Sequence, residues 1–203
     1  GLRETAFWAG PELREPDPKD RVNSSGAYGF IFDYCGVEVD PIDGSVRIDK
    51  YVTAHDAGRL LNPALADGQI RGGFAHGLGA ALLEELSYAP DGTFQAGTFA
   101  DYCAPYATDM PELVILHDQS PSPHTPTGAK GLGEGNCMST PVCIANAVAD
   151  AIGKSVETLP LTRPRVLELL GAEEPADPSP PRPAIEIPAG TGHALVGDGF
   201  SMA

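Results

Sequence analysis

The sequence predicts an α+β fold, a β-hairpin or mixed sheet packed with a long glycine-rich helix and two shorter C-terminal helices. Three observations predict it. Two runs of good β formers flank the turn Asp40-Pro41-Ile42-Asp43-Gly44. Ile70, Phe74, Leu78 and Leu82 recur every fourth residue, which is the spacing of a helix face. Two further helical patterns, PVCIANAVADAI and 162–170, close the apolar part of the chain.

Residues 1–22 are charged and broken by proline, with Phe7, Trp8 and Leu13 as apolar anchors; they read as an extended lead-in that packs on something else. The first strand falls in 27–39 and carries Tyr28, Phe30, Ile31, Phe32, Tyr34 and Val37. Its partner, 45–53, alternates Val46, Ile48 and the pair Tyr51/Val52 with polar residues. His55 and Asp56 follow. Neighbours on an extended chain point to opposite sides, so the pair reads as structural, with Asp56 bonding loop amides.

Asn62 and Pro63 form a helix start. The helix is predicted over 64–86, with Glu84 and Glu85 solvated at its end. Gly68, Gly72, Gly73, Gly77 and Gly79 lie inside it, each costing roughly 1 kcal/mol against alanine. Something must therefore approach this helix closely, either another backbone or a ligand. Gln69, one turn in, could offer its amide to a ligand near the positive helix end. Residues 95–106 have weak strand character, and 113–116 (LVIL) read as a short buried strand. A stiff proline-rich loop, SPSPHTPT, delivers the chain to GAKGLGEGN at 128–136. Thr140-Pro141 is expected to cap the next helix, with Val142, Ala145, Val148, Ala149 and Ile152 on its core face. Residues 172–203 hold six prolines, and five acids face Arg182 alone, which is linker composition. The domain plan is thus lead-in 1–22, folded part 23–171 and acidic tail 172–203.

The 203 residues carry a formal net charge of −15. That argues against nucleic acid and against an anionic membrane surface, both of which need a basic footprint. No run of about 18 apolar residues is present to span a membrane. Cys35, Cys103, Cys137 and Cys143 make no CxxC pair and no metal-ligand spacing with histidine. They read as reduced, mostly buried thiols in a cytosolic protein.

The glycine loop is the candidate site. Glycine lets a backbone come close to another molecule, and Glu134 stands inside the run with Lys130 four residues before it. The loop lacks the GK[ST] ending of a phosphate-binding loop, and no GxGxxG follows a strand, so a nucleotide domain is set aside. Taken together, NPALADGQIRGGFAHGLGAALLEE, Asp101-Tyr102 with Pro105, and GAKGLGEGN ahead of ANAVADAI resemble the C-terminal part of the molybdenum-binding subunit in the xanthine dehydrogenase/aldehyde oxidase family of molybdenum hydroxylases. The resemblance spans about 23–170.

The resemblance implies a fragment of a molybdopterin-binding domain in which Glu134 is the general base, acting on hydroxide bound to molybdenum, with oxygen inserted at an electron-poor carbon. Gly131, Leu132, Gly133 and Gly135 would set backbone amides beside the cofactor, Lys130 would lie near, and Gly68, Gln69, Gly72 and Gly73 would form a second contact strip. The cofactor implied is molybdopterin, in bacterial relatives usually the cytosine dinucleotide, with the metal held by the pterin sulfurs. Iron–sulfur clusters and FAD would sit on partner subunits or domains. The family's earlier glutamine- and glycine-rich loops have no counterpart here, so the chain is expected to be one piece of an active site and inert alone. Burial would raise the pKa of Glu134. The competing reading is a scaffold or interaction module that keeps the fold without activity.

Overall fold

A computed structural model describes residues 1–10 and 12–171. The expected acidic tail, 172–203, lies outside the described residues. The elements are strand β1 (Phe30–Val39), strand β2 (Val46–Asp56), helix α1 (Pro63–Leu82), a 3-10 turn (Ala107–Asp109), strand β3 (Leu113–Asp118), helix α2 (Gly135–Ile152) and helix α3 (Arg163–Leu170). β1 and β2 form the predicted hairpin, antiparallel from Phe30↔Asp56 to Val39↔Val46, with a register shift at Gly36/Val37. Its turn closes through Asp40 N to Ser45 O at 2.9 Å, and Gly44 takes φ +71° there. β3 pairs parallel to the other edge of β2, giving the order β1-β2-β3.

One face of this sheet is covered by helices. Tyr51, Thr53 and His55 of β2 point into that layer and are buried. The core joins them to Ile70, Phe74 and Leu78 of α1, Ile144 and Val148 of α2, and Val166 of α3. Tyr51 meets Phe74 edge-on, with ring centroids 4.6 Å apart. The other sheet face carries Phe30, Phe32 and Tyr34 of β1 and Leu116 of β3, all exposed. No described helix is long and apolar enough to cross a membrane.

Several expectations need correction. α1 starts as expected, with Asn62 Oδ1 accepting from Leu65 N at 3.2 Å, but it stops at Leu82 rather than 86. The amides of Leu83 and Glu84 both return to Gly79 O, and the Glu84 carboxylate folds back against Gly79 instead of being solvated. Residues 95–106 form turns, not a strand; Gly97 and Pro105 interrupt them and Thr98 bonds Asp101 instead of a neighbouring strand. In β3 only Leu113 is fully buried, because the second sheet face has no layer over it.

α2 begins at Gly135, five residues before the expected cap, so Pro141 lies inside the helix. Thr140 does not cap; its hydroxyl meets Tyr51 OH at 3.2 Å. The buried face is Asn136, Thr140, Ile144 and Val148, and Val142 is exposed. The two polar residues that open this stripe disguised its true start. Two of the five α1 glycines are approached closely by α2: a Cβ on Gly77 would stand 2.7 Å from Thr140 Cβ, and one on Gly73 would stand 3.3 Å from Asn136 Cβ. α3 is as expected, with Thr162 at its N-cap and Gly171 left-handed at its end.

Candidate functional site

The glycine loop is pinned at its root before it is released at its tip. Gly128 O accepts from both Arg59 N and Ser122 N at 3.0 Å, and Lys130 N donates to Ala57 O at 2.8 Å. Gly58, with φ +62°, leaves no room for a side chain against the Gly128 carbonyl. Asp56 ties the root together. Its Oδ1 accepts from Gly58 N at 2.9 Å and Ser120 N at 3.1 Å, and its Oδ2 accepts from Lys130 Nζ at 2.8 Å. Both side chains of that ion pair are mostly buried, at 10% and 15% exposure. The Lys130 ammonium beside it, aided by the two amides, holds the Asp56 carboxyl well below the usual carboxylate range. Asp56 thus plays the loop-binding part expected of it. Lys130 is committed to Asp56 and to Ser120 Oγ at 3.0 Å, so its ammonium serves the loop root.

Beyond Lys130 the backbone comes free. Among the described residues, the amides of Gly131, Leu132, Gly133 and Glu134 have no backbone partner. Gln69, on the first turns of α1, donates from Nε2 to Gly133 O at 2.8 Å and so ties the predicted second strip to the loop. An open groove of about 460 Å³ runs between them, lined by Asn62, Leu65, Gln69, Leu132 and Gly133 among others. Gly68 and Gly72 are exposed, and a Cβ at either would meet nothing within 4 Å. Gly73 and Gly135 belong to a different class. Gly73 faces Asn136 and Cys137 of α2, and Gly135 lies against Ile31 of β1, so protein packing accounts for both glycines.

Glu134 occupies the N-cap position of α2, and its side chain makes no capping bond. It is exposed, contrary to the burial expected of it. What holds it in place is the turn that follows. Asn136 is 2% exposed and donates from Nδ2 to Thr53 Oγ1 at 3.1 Å, and Thr53 Oγ1 pairs with His55 Nε2 at 3.0 Å. The first turn of α2 is thereby bolted to the middle strand. Burial depresses the pKa of His55, partly offset by Asn136, so the ring sits beneath the helix as a neutral partner. Sequence reasoning gave Asn136 and Thr53 no role. The available signal was a polar residue two positions after the loop glutamate, at the start of an apolar stripe.

The free amides and the amide side chain of Gln69 make a neutral donor set suited to an anionic or heterocyclic ligand edge. A cofactor that brings its own metal ligands fits this set; no group of His, Cys, Asp and Glu among the described residues could hold an ion.

Comparison with known proteins points the same way. A molybdopterin cofactor-binding domain family matches residues 1–111. The nicotine 6-hydroxylase large subunit of Paenarthrobacter nicotinovorans is 35% identical over 170 residues, covering 82% of this chain and 19% of that protein. A putative xanthine dehydrogenase molybdenum-binding subunit of Escherichia coli is 38% identical over 143 residues, 70% of this chain and 19% of that one. Among solved structures, the aldehyde oxidoreductase from Desulfovibrio desulfuricans superposes with a TM-score of 0.72 at 28% identity, over 80% of this chain and 17% of that chain. The chain therefore spans about a fifth of the length of these relatives.

Proposed function

This chain belongs to the molybdopterin cofactor-binding domain of the xanthine dehydrogenase/aldehyde oxidase family of molybdenum hydroxylases, and on that premise we propose that it supplies the general-base side of such an enzyme's active site. The observation that carries the reading is the placement of Glu134: an uncapped carboxylate on a loop with free amides, joined through Gln69 to an open groove and anchored from below by Asn136.

When bound, the molybdenum cofactor, in the cytosine dinucleotide form of molybdopterin, would supply the water-derived oxygen and take up the electron pair. The chain's own residues do the rest. The amides of Gly131, Leu132 and Gly133 hold the cofactor's edge, with Gly68 and Gly72 letting it approach α1 and Gln69 offering an Oε1 that has no partner among the described residues. Glu134 accepts a proton at a carboxylate oxygen as oxygen is delivered to an electron-poor carbon of a purine, aldehyde, N-heterocycle or aromatic substrate. A positioned general base contributes typically 10²–10⁴-fold in rate.

Glu134 is exposed in this chain, so the dry surroundings that tune a base must come from elsewhere. The open sheet face with Phe30, Phe32, Tyr34 and Leu116 supports the same idea, since an uncovered apolar sheet face calls for another layer. The rest of a molybdenum subunit would cover it, with iron–sulfur and FAD subunits as electron carriers in a cytosolic complex. The chain alone would be inactive. The test is metal and pterin analysis of the native complex that contains this chain. One molybdenum with its pterin per copy is expected; a complex with neither would overturn the reading.

A further inference from the structure

A second groove lies between β1 and α2. It has a volume of about 690 Å³ and is lined by Asp33 and Cys35 on the strand and Met138, Ser139, Cys143 and Asn146 on the helix, among others. Two of the chain's four cysteines face each other across it. The geometry that brings them together is continuous. Cys35 is the cross-strand partner of Tyr51, so both side chains stand on the helix-covered face. Tyr51 OH reaches Thr140 Oγ1 at 3.2 Å, and Cys143 stands one helical turn beyond Thr140 on α2. Both thiols are half-buried against the core and open to the groove, whereas Cys103 is exposed elsewhere.

We propose that Cys35 and Cys143 form a reactive dithiol that closes to a disulfide between β1 and α2 when the protein meets a small-molecule disulfide such as oxidised glutathione. The step is thiol–disulfide exchange. Cys143 Sγ, as thiolate, attacks one sulfur of the oxidant and expels the first glutathione thiolate, which takes up the proton that Cys143 gave up. Cys35 Sγ then loses its proton and attacks Cys143 Sγ, expelling the second glutathione, which takes up that proton. Two protein thiols are oxidised, one external disulfide is reduced to two thiols, and one intramolecular S–S bond forms. The polarity of the pair follows from its contacts. A hydrogen bond with Cys35 draws Cys143 below the ordinary thiol range, helped by Tyr51, and the same bond with burial pushes Cys35 up.

The bond would tie α2 to β1 beside Ile31, which packs against Gly135, the residue that follows Glu134. The bond stands whether or not Glu134 is a base. The test is a non-reduced peptide map of the native complex after exposure to oxidised glutathione and blocking with N-ethylmaleimide. The expected product is a cross-linked pair of peptides containing Cys35 and Cys143, lighter by two hydrogens and cleaved by dithiothreitol. Cys35→Ser and Cys143→Ser should each abolish the cross-linked pair. If Cys35 and Cys143 stay fully alkylated while the exposed Cys103 takes up glutathione, the proposal is overturned. The wild-type map decides this even if a serine variant fails to fold.

Discussion

Gly77→Ala puts the packing of α1 on α2 to a quantitative test. An added Cβ would lie 2.7 Å from Thr140 Cβ, 2.8 Å from the Asn136 carbonyl oxygen and 3.1 Å from Pro141 Cδ. Comfortable carbon–carbon separations are about 3.5–4.0 Å. None of these three atoms is the loose end of a flexible side chain, so the helices themselves must separate. Overpacking of this kind costs about 1–3 kcal/mol, and rigid neighbours place it at the upper end. The helix gains back up to about 1 kcal/mol because alanine replaces glycine. The net expectation is a loss of about 1–2 kcal/mol. Gly72→Ala is the matched control, since its Cβ would meet nothing within 4 Å. It should gain about 0.5–1 kcal/mol from propensity alone. Thermal unfolding reads the difference directly: for a chain of this size, Gly77→Ala should melt lower than wild type by about 2–8 °C. If Gly77→Ala were as stable as Gly72→Ala, the helix crossing described above would be wrong.

Other perturbations probe the loop root and its anchor. Lys130→Ala leaves Asp56 mostly buried without its counter-charge and should cost about 2–4 kcal/mol in urea unfolding, toward the lower end of values for buried pairs. The folded-state pKa of Asp56 is depressed, so its contribution is fully present above about pH 4 and is lost as pH falls through the depressed value; acid titration of Lys130→Ala should show a weaker loss over that range. His55 is held neutral, with a folded pKa below its ordinary value, so stability should be full above about pH 6.5 and should decline as pH falls below it; a His55→Gln variant should lose that dependence in a pH series of unfolding midpoints. Gln69→Ala removes the bond to Gly133 O, and the molybdenum and pterin content of the complete complex should fall; unchanged content and kinetics would count against the contact.

Much of the frame was legible in the residues because its signals are local. The hairpin follows from its turn chemistry, and the start of α1 follows from Asn62. The start of α2 was hidden. Proline at 141 normally marks a first turn, yet here it sits inside the helix beside Gly77, where only the α1 contact makes sense of it. The loop with Glu134 was visible as a run of glycines, and Gln69 as an amide near a helix start, but the bond between Gln69 and Gly133, 64 positions apart, was not. The ion pair of Lys130 with Asp56 was not, because 74 positions separate the partners and no local rule joins them. The buried chain from Asn136 through Thr53 to His55 was hidden for the same reason.

If Glu134 moves the proton in a molybdenum hydroxylase, the turnover of Glu134→Gln in the complete complex, with molybdenum and pterin quantified in the same preparation, should be lower by about 10²–10⁴-fold at unchanged cofactor content. Wild-type turnover with full cofactor would contradict it.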